Sequence, residues 1–326
     1  HTVVELINAG HEPVIIDDLS NSEASVLDGI EAITGRRPAF YQADAGSREA
    51  VEKLLSEHPD LAAVIHFAAF KAVGESVQKP LAYYRNNLYS TINLLECLLE
   101  AGVPDLVFSS SCTVYGQPDE LPVSESAPIK QAESPYGNTK QMCEDILRNT
   151  AGATALKAIS LRYFNPVGAH PSAIIGELPR GVPNNLMPYI TQTAIGKREK
   201  LTVFGDDYNT PDGSGVRDYI HVVDLAKAHV KACQRLIAGQ NQSSIEFFNL
   251  GTGQGYSVLE VIRAFEKVNG VDLNYTIGPR RSGDIEMVYA DTSLSNQELG
   301  WKAELGLDEM VASAWKWEQH LAAAEQ

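Results

Sequence analysis

Tyr136 and Lys140 stand four residues apart in Ser134-Pro135-Tyr136-Gly137-Asn138-Thr139-Lys140, and a serine run, Ser109-Ser110-Ser111, closes an apolar stretch upstream. Residues four apart share one face of a helix, so an ammonium at Lys140 can lie beside whatever the Tyr136 hydroxyl touches. That pairing suits proton transfer. A free phenol titrates near 10, and bringing it to about 7 takes roughly 4 kcal/mol of preference for the phenolate. Nearby positive charge can supply that preference: Lys140 is one cation, and an oxidised nicotinamide ring would be a second. A Tyr-x-x-x-Lys on its own is an ordinary amphipathic pair. Here Ser134 is placed to cap a helix, Pro135 fits its first turn, and residues 118–132 before it read as a loop.

Holding these groups requires strands that end where helices begin. Val14-Ile15-Ile16 reads as a buried strand ending at Asp17, residues 39–43 as another ending at Asp44, and residues 63–68, 106–109 and 158–164 as three more. Helical periodicity covers 48–57, 81–101 and the segment bearing Tyr136, while the opening residues read as a helix stopped by Gly10. This alternation predicts an α/β fold built on a Rossmann-type, doubly wound parallel sheet, with ligands at the carboxyl ends of its strands. After Asn165 the chain becomes rich in Pro and Gly, which sets a boundary between a dinucleotide-binding domain, residues 1–164, and a smaller substrate-binding α/β lobe, residues 165–326. In that lobe a strand at 246–250 leads through Gly251-Thr252-Gly253 to a helix at 257–268, and a last helix spans 307–323.

The net charge of −16 opposes nonspecific attraction to nucleic acid or an anionic membrane. An anionic ligand would need a local pocket of Arg, Lys and helix N-termini. Cys97, Cys112, Cys143 and Cys233 are widely spaced with no histidine at ligand spacing, which suggests reduced thiols in cytoplasm and no metal. No apolar run nears the ~20 residues of a membrane span, so a soluble protein is expected.

Asp17, closing the second strand of a Rossmann unit, can bind the ribose hydroxyls of NAD and repel the extra phosphate of NADP; as a loop cap it would look the same. Asp44 faces the adenine or is a solvated turn residue. Phe67-Ala68-Ala69 offers small residues beside which a pyrophosphate or ribose can approach the backbone. A glycine loop of the form G-x-x-G-x-x-G is absent from the sequence, so cofactor binding and completion of the sheet are expected to depend on a strand and turn upstream of His1.

The order of strand, serine run, loop, helix, tyrosine and lysine resembles the short-chain dehydrogenase/reductase superfamily. Four longer blocks narrow the resemblance: His66-Phe67-Ala68-Ala69-Phe70-Lys71-Ala72-Val73-Gly74-Glu75-Ser76, Arg162-Tyr163-Phe164-Asn165-Pro166-Val167-Gly168-Ala169-His170, Pro183-Asn184-Asn185-Leu186-Met187-Pro188-Tyr189 and Gly215-Val216-Arg217-Asp218-Tyr219-Ile220-His221. All are similar to the UDP-glucose 4-epimerase family. The resemblance implies that Tyr136 takes the proton of the sugar 4-hydroxyl, that Ser111 hydrogen-bonds the same oxygen, and that Lys140 holds the nicotinamide ribose while favouring phenolate. It implies NAD contacts from Asp17, Asp44, Lys71 and Asn86, and a UDP site of Asn165, Asn185, Leu186, Arg217, Arg281 and Asp284. It further implies a homodimer through helices of the NAD domain. Arg217 and Arg281 suit a diphosphate because guanidinium forks bind such oxygens in bidentate fashion.

The reaction so implied is transient oxidation at sugar C4, rotation of the ketose about its phosphate linkage, and return of the hydride to the other face. Two alternatives stand beside it. An NDP-sugar 4,6-dehydratase begins with the same oxidation but typically carries an Asp-Glu pair after the active-site Ser or Thr, where this chain has Cys112-Thr113. A noncatalytic UDP-sugar-binding remnant would account for the absent glycine loop. At Val288 the family resemblance points to the sugar-pocket wall, where a small residue would admit the N-acetyl group of UDP-GlcNAc and UDP-GalNAc. The competing expectations are a plain packing valine, or a one-residue slip that turns Tyr289 inward instead.

Overall fold

The computed structural model describes residues 1–281 and 285–324. The first half alternates strands and helices: α1 (Thr2–Asn8), β1 (Val14–Asp17), α2 (Val26–Thr34), β2 (Ala39–Gln42), α3 (Arg48–Glu57), β3 (Val64–His66), α4 (Val73–Gln78), α5 (Pro80–Ala101), β4 (Asp105–Ser111), α6 (Pro135–Ala153) and β5 (Lys157–Tyr163), of which α2 and α4 are additions to the expected elements. Local chemistry sets the ends. Pro80 opens α5, and Gly102 closes it at φ 73°, a left-handed conformation suited to glycine. Ser134 caps α6 by accepting from the Gly137 amide at 3.1 Å.

The second half holds β6 (Asn165–Val167), α7 (Leu186–Ala194), β7 (Leu201–Phe204), β8 (Val216–His221), α8 (Val222–Ile237), β9 (Ile245–Leu250), β10 (Gly255–Ser257), α9 (Val258–Asn269), β11 (Tyr275–Gly278), β12 (Met287–Val288), α10 (Ser293–Gln297) and α11 (Leu307–Ala324). The main sheet is parallel in the order β3-β4-β5-β9, and β1 and β2 form a separate parallel pair. A second sheet runs β10-β8-β12, with β6 also on β8.

Strand alternation divides the main sheet's side chains between two faces. Leu106, Phe108 and Ala158 pack with Leu94, Leu98 and Leu147 of α5 and α6. On the other face Val107, Ile159 and Leu161 meet Leu225, Ala228 and Leu236 of α8. The sheet is thus covered on both faces, as expected for parallel strands.

The expected boundary at 164/165 marks where the chain first leaves this sheet. It then comes back: α8 covers the sheet, and β9 pairs with β5 in the register Ala158↔Ile245 to Tyr163↔Leu250. The physical cause is the apolar face at Val107, Ile159 and Leu161, which needs a helix that no segment before residue 165 supplies. Another crossing is made by Ile174 and Ile175, which pack on α1 and α2 in a cluster with Val4, Leu27 and Ile30. Gly29 makes room for them, since a Cβ there would stand 2.6 Å from Ile175 Cγ2. Among the described residues no helix is long and apolar enough to cross a membrane.

Candidate active site

The carboxyl end of β4 delivers Ser109, Ser110 and Ser111, and α6 starts close enough to lay its first turns over them. Lys140 is buried and donates from Nζ to the Ser109 carbonyl oxygen at 2.6 Å. Its Nζ lies 5.9 Å from the centre of the Tyr136 ring, so the two side chains share one helix face as their spacing requires. The Ser111 hydroxyl lies near enough to the Tyr136 phenol to pull its pKa down. Ser111 also accepts from the Thr113 amide at 3.2 Å, which fixes the short turn Cys112–Tyr115 that leaves the strand. Tyr163, in register with Ser111 on β5, shares a hydrogen bond with Ser109 Oγ.

In the chain alone, burial outweighs the tuning of Tyr136 expected from nearby cations. Burial pushes the phenol well up, Tyr163, Cys112 and Tyr83 add to the rise, and only the Ser111 hydroxyl pulls it down. Desolvation wins because the phenolate, not the phenol, bears the charge. Burial also lowers Lys140 to about 8. The phenol therefore leans toward its neutral form, while Lys140 remains mostly protonated at neutral pH.

On the dinucleotide side, Asp17 at the end of β1 accepts from the Leu19 amide and the Ser22 hydroxyl, both at 2.7 Å on Oδ1. Asp44 accepts from the Gly46 amide at 2.7 Å, and together with Asn86, Arg85 and Phe70 it lines one cleft. Phe67, Ala68 and Lys71 follow β3, and all three are exposed. The Phe67 ring leans on His229 of α8, with centroids 4.7 Å apart. The donor set of carboxylates at two strand ends, an amide in the cleft and a buried ammonium fits a dinucleotide's ribose hydroxyls and adenine. Asn87, beside Asn86, is a further polar residue of this site, with no motif in the sequence to mark it. It is buried and holds the Phe70 backbone on both sides, accepting from its amide at 2.8 Å and donating to its carbonyl at 3.0 Å, while also donating to Thr139 Oγ1 at 3.0 Å. Its signal was a polar stripe on the inward face of α5: Asn87, Ser90 and Thr91 are all buried.

Across the cleft, Asn165 begins β6 and pairs in register with Tyr219 of β8. Asn185 stands at the N-cap of α7, next to Leu186, and donates to Glu177 Oε1 at 2.7 Å. Arg217 on β8 donates to the Val216 carbonyl at 2.8 Å. Its charge also reaches Cys112, whose thiol burial pushes up to about 12 while Arg217 pulls it down. Arg281 lies 5.7 Å from the Phe204 ring centre. Asp284 lies outside the described residues.

Val288 is 5 % exposed and faces inward, clustered with Val114, Tyr115 and Phe164. It pairs in register with Arg217. Tyr289 turns to the opposite side, toward Gly255, so it is Val288 that faces this cluster. Asp218, next to Arg217, is buried and accepts from the Thr252 and Ala290 amides at 2.8 and 3.1 Å. Gly251 must lack a side chain here, because a Cβ would stand 2.3 Å from Asp218 Oδ2.

Comparison with known proteins narrows what such an arrangement does. Residues 1–314 match the family profile described as GDP-mannose 4,6 dehydratase. The UDP-glucose 4-epimerase of Bacillus subtilis (strain 168) is 53% identical over 319 residues, covering 98% of this chain and 93% of that protein. The enzyme of the same name from Mus musculus is 51% identical over 326 residues, with 98% and 93% covered. The crystal structure of UDP-glucose-4-epimerase from Stenotrophomonas maltophila, with bound NAD and formylated UDP-arabinopyranose, superposes with a TM-score of 0.95 at 51% identity, covering 99% of this chain and 95% of that one. The Bifidobacterium longum enzyme in complex with NAD+ and UDP gives 0.94 at 48% identity, with 98% and 94% covered.

Proposed function

The chain belongs to the UDP-glucose 4-epimerase family, and on that premise we propose that it interconverts UDP-glucose and UDP-galactose by NAD-dependent, transient oxidation at sugar C4. The observation that carries this reading is the meeting of Tyr136, Ser111 and Lys140 at the carboxyl end of β4. The profile named for a 4,6-dehydratase is consistent with the shared first oxidation, but Cys112-Thr113 after Ser111 provides no acid for elimination.

Bound NAD supplies the hydride acceptor and donor at C4 and a positive charge on the nicotinamide ring. The chain's own residues manage the proton. Tyr136 receives it from the sugar 4-hydroxyl, and the Ser111 hydroxyl holds the same sugar oxygen. Because burial keeps the phenol protonated when alone, positive charge at Lys140 and at the ligand is what makes it a base. Asp17, Asp44, Asn86, Lys71, Phe67 and Ala68 are the proposed dinucleotide contacts. Arg217 and Arg281 hold the diphosphate, with Asn165, Asn185, Leu186 and Asp284 about the rest of UDP. Anchoring the UDP part leaves the hexose free to turn over, so binding energy resides in the portion that does not react.

Val288 adds a finer specificity: a side chain smaller than tyrosine leaves room for a 2-acetamido group, so UDP-GlcNAc and UDP-GalNAc are also substrates. The helix pair α5 and α6 supports a homodimer. Leu81, Tyr89 and Ile92 lie at helical spacing on α5 and, with Met142 of α6, are exposed apolar side chains. Four unpaired thiols and an acidic surface suit a cytoplasmic enzyme without nucleic-acid partners.

The test is to purify the protein as encoded, measure NAD bound per chain, and then assay UDP-galactose conversion with added NAD. Turnover supports an epimerase. UDP binding without turnover, at full NAD occupancy, would make it a noncatalytic UDP-sugar-binding protein.

A further inference from the structure

Tyr136, Lys140 and Glu144 form one stripe of α6 at four-residue spacing, and the third member is a buried carboxylate with no place in the proton chemistry. It is surrounded by donors. Ser110 Oγ and Ser160 Oγ donate to Oε1 at 2.7 and 2.9 Å. Arg162 adds Nε to Oε1 at 2.9 Å and Nη2 to Oε2 at 2.6 Å. Both members of the ion pair are 3% exposed.

From Arg162 the network continues toward the other lobe. Nη1 donates to Tyr115 Oη at 3.0 Å, and that hydroxyl donates to Asn249 Oδ1 at 2.6 Å. Asn249 Nδ2 donates to the Val123 carbonyl at 2.8 Å, and the Val123 amide donates to the Tyr289 carbonyl at 2.9 Å. The chain of bonds thus runs from Glu144 on the helix bearing Tyr136, where the residue before Ser111 also attaches, through Arg162, Tyr115 and Asn249 to the residue after Val288.

We propose that Glu144 and Arg162 are positioning residues for proton transfer: their bidentate pair registers α6 against β4 and β5, so that the Tyr136 and Ser111 hydroxyls meet the same sugar oxygen. Strand alternation makes this work. Ser110, Ser160 and Arg162 all face α6, whereas Ser109, Ser111 and Tyr163 face the other way, so a carboxylate gripping the first set fixes where the second set points. A paired, fully bonded buried charge is directional in a way that apolar packing is not. The inference rests on Tyr136 and Ser111 as the groups at the reacting oxygen.

The experiment compares Glu144→Gln, Ser110→Ala and Tyr115→Phe with Tyr136→Phe in the protein as encoded, measuring kcat, KM for UDP-galactose, UDP affinity and thermal midpoint. The expected result is a fall in kcat of about tenfold to a hundredfold for the network variants, as an ångström-scale misplacement gives, with KM and UDP affinity within twofold of the parent. Unchanged kcat per folded site in Ser110→Ala and Tyr115→Phe would overturn the proposal, whatever happens to the thermal midpoint. Those two variants decide the matter if Glu144→Gln does not fold. Retained activity in Tyr136→Phe would instead overturn the underlying assignment of Tyr136, which keeps the two failures distinct.

Discussion

The Lys140 ammonium stands 4.8 Å from the centre of the Phe108 ring, so the charge nearest Tyr136 is backed by a π-face instead of by a carboxylate. Burial is what lowers its pKa from 10.5 to about 8, with Cys143 and Glu144 offsetting only part of the fall. Between those two values the unfolded chain binds the proton more readily than the folded one, so stability rises with pH across that window and the full penalty is present at pH 7. Lys140→Met should therefore stabilise the fold at pH 7 by about 1–3 kcal/mol, the lost bond to the Ser109 carbonyl offsetting part of the gain. The advantage should shrink by pH 10, and epimerisation should be lost throughout. Thermal denaturation at the two pH values checks the first part; a variant less stable at pH 7 would contradict it.

Tyr136→Phe removes the hydroxyl proposed to collect the sugar proton. Turnover of UDP-galactose should fall by about a hundredfold to ten-thousandfold, while UDP affinity by calorimetry stays unchanged. Full activity in this variant would remove the proton acceptor from the scheme.

Acid should destabilise the protein well before its carboxylates protonate. Burial lowers His66 to about 3, and His221 and His229 to about 4, from 6.5. The unfolded chain then binds more protons than the folded one below pH 6.5, so stability falls as pH drops from 6.5 toward 4, by up to about 1.4 kcal/mol per pH unit for each histidine. Denaturant titrations at pH 7.0, 5.5 and 4.5 measure the slope, at values chosen to span about that window. A flat profile there would show that these rings charge freely when folded.

Val288→Tyr should suppress conversion of UDP-GlcNAc and UDP-GalNAc while sparing UDP-glucose and UDP-galactose. Val288 is buried in a cluster with Phe164 and Tyr115, so enlarging it is also expected to cost about 1–3 kcal/mol of stability. Competition assays with the two substrate pairs read the selectivity. Equal loss of both pairs would mean that residue 288 supports the site without sizing it.

Legibility followed range along the chain. The helix from Pro135 and the strands ending at Asp17 and Ser111 were readable because caps, prolines and apolar runs act over a few residues. Helix α8 was not anticipated, and neither was the return of β9 to the first sheet, since both depend on an apolar face created by strands some 60 to 130 residues earlier. Asn87 and Glu144 escaped notice because their neighbours on a helix, Asn86 and Lys140, carried the recognisable pattern.

The sequence by itself determined the alternation of strands and helices, the proximity of Tyr136 to Lys140, and the family blocks. Each depends on residue type and short spacing, which no tertiary rearrangement alters. Only the tertiary structure decided that desolvation outweighs nearby charge at Tyr136, that Val288 and not Tyr289 turns inward, and that Glu144 gathers donors from two strands. Those outcomes depend on how much water is excluded and which strand faces meet, quantities that exist only once distant segments have packed.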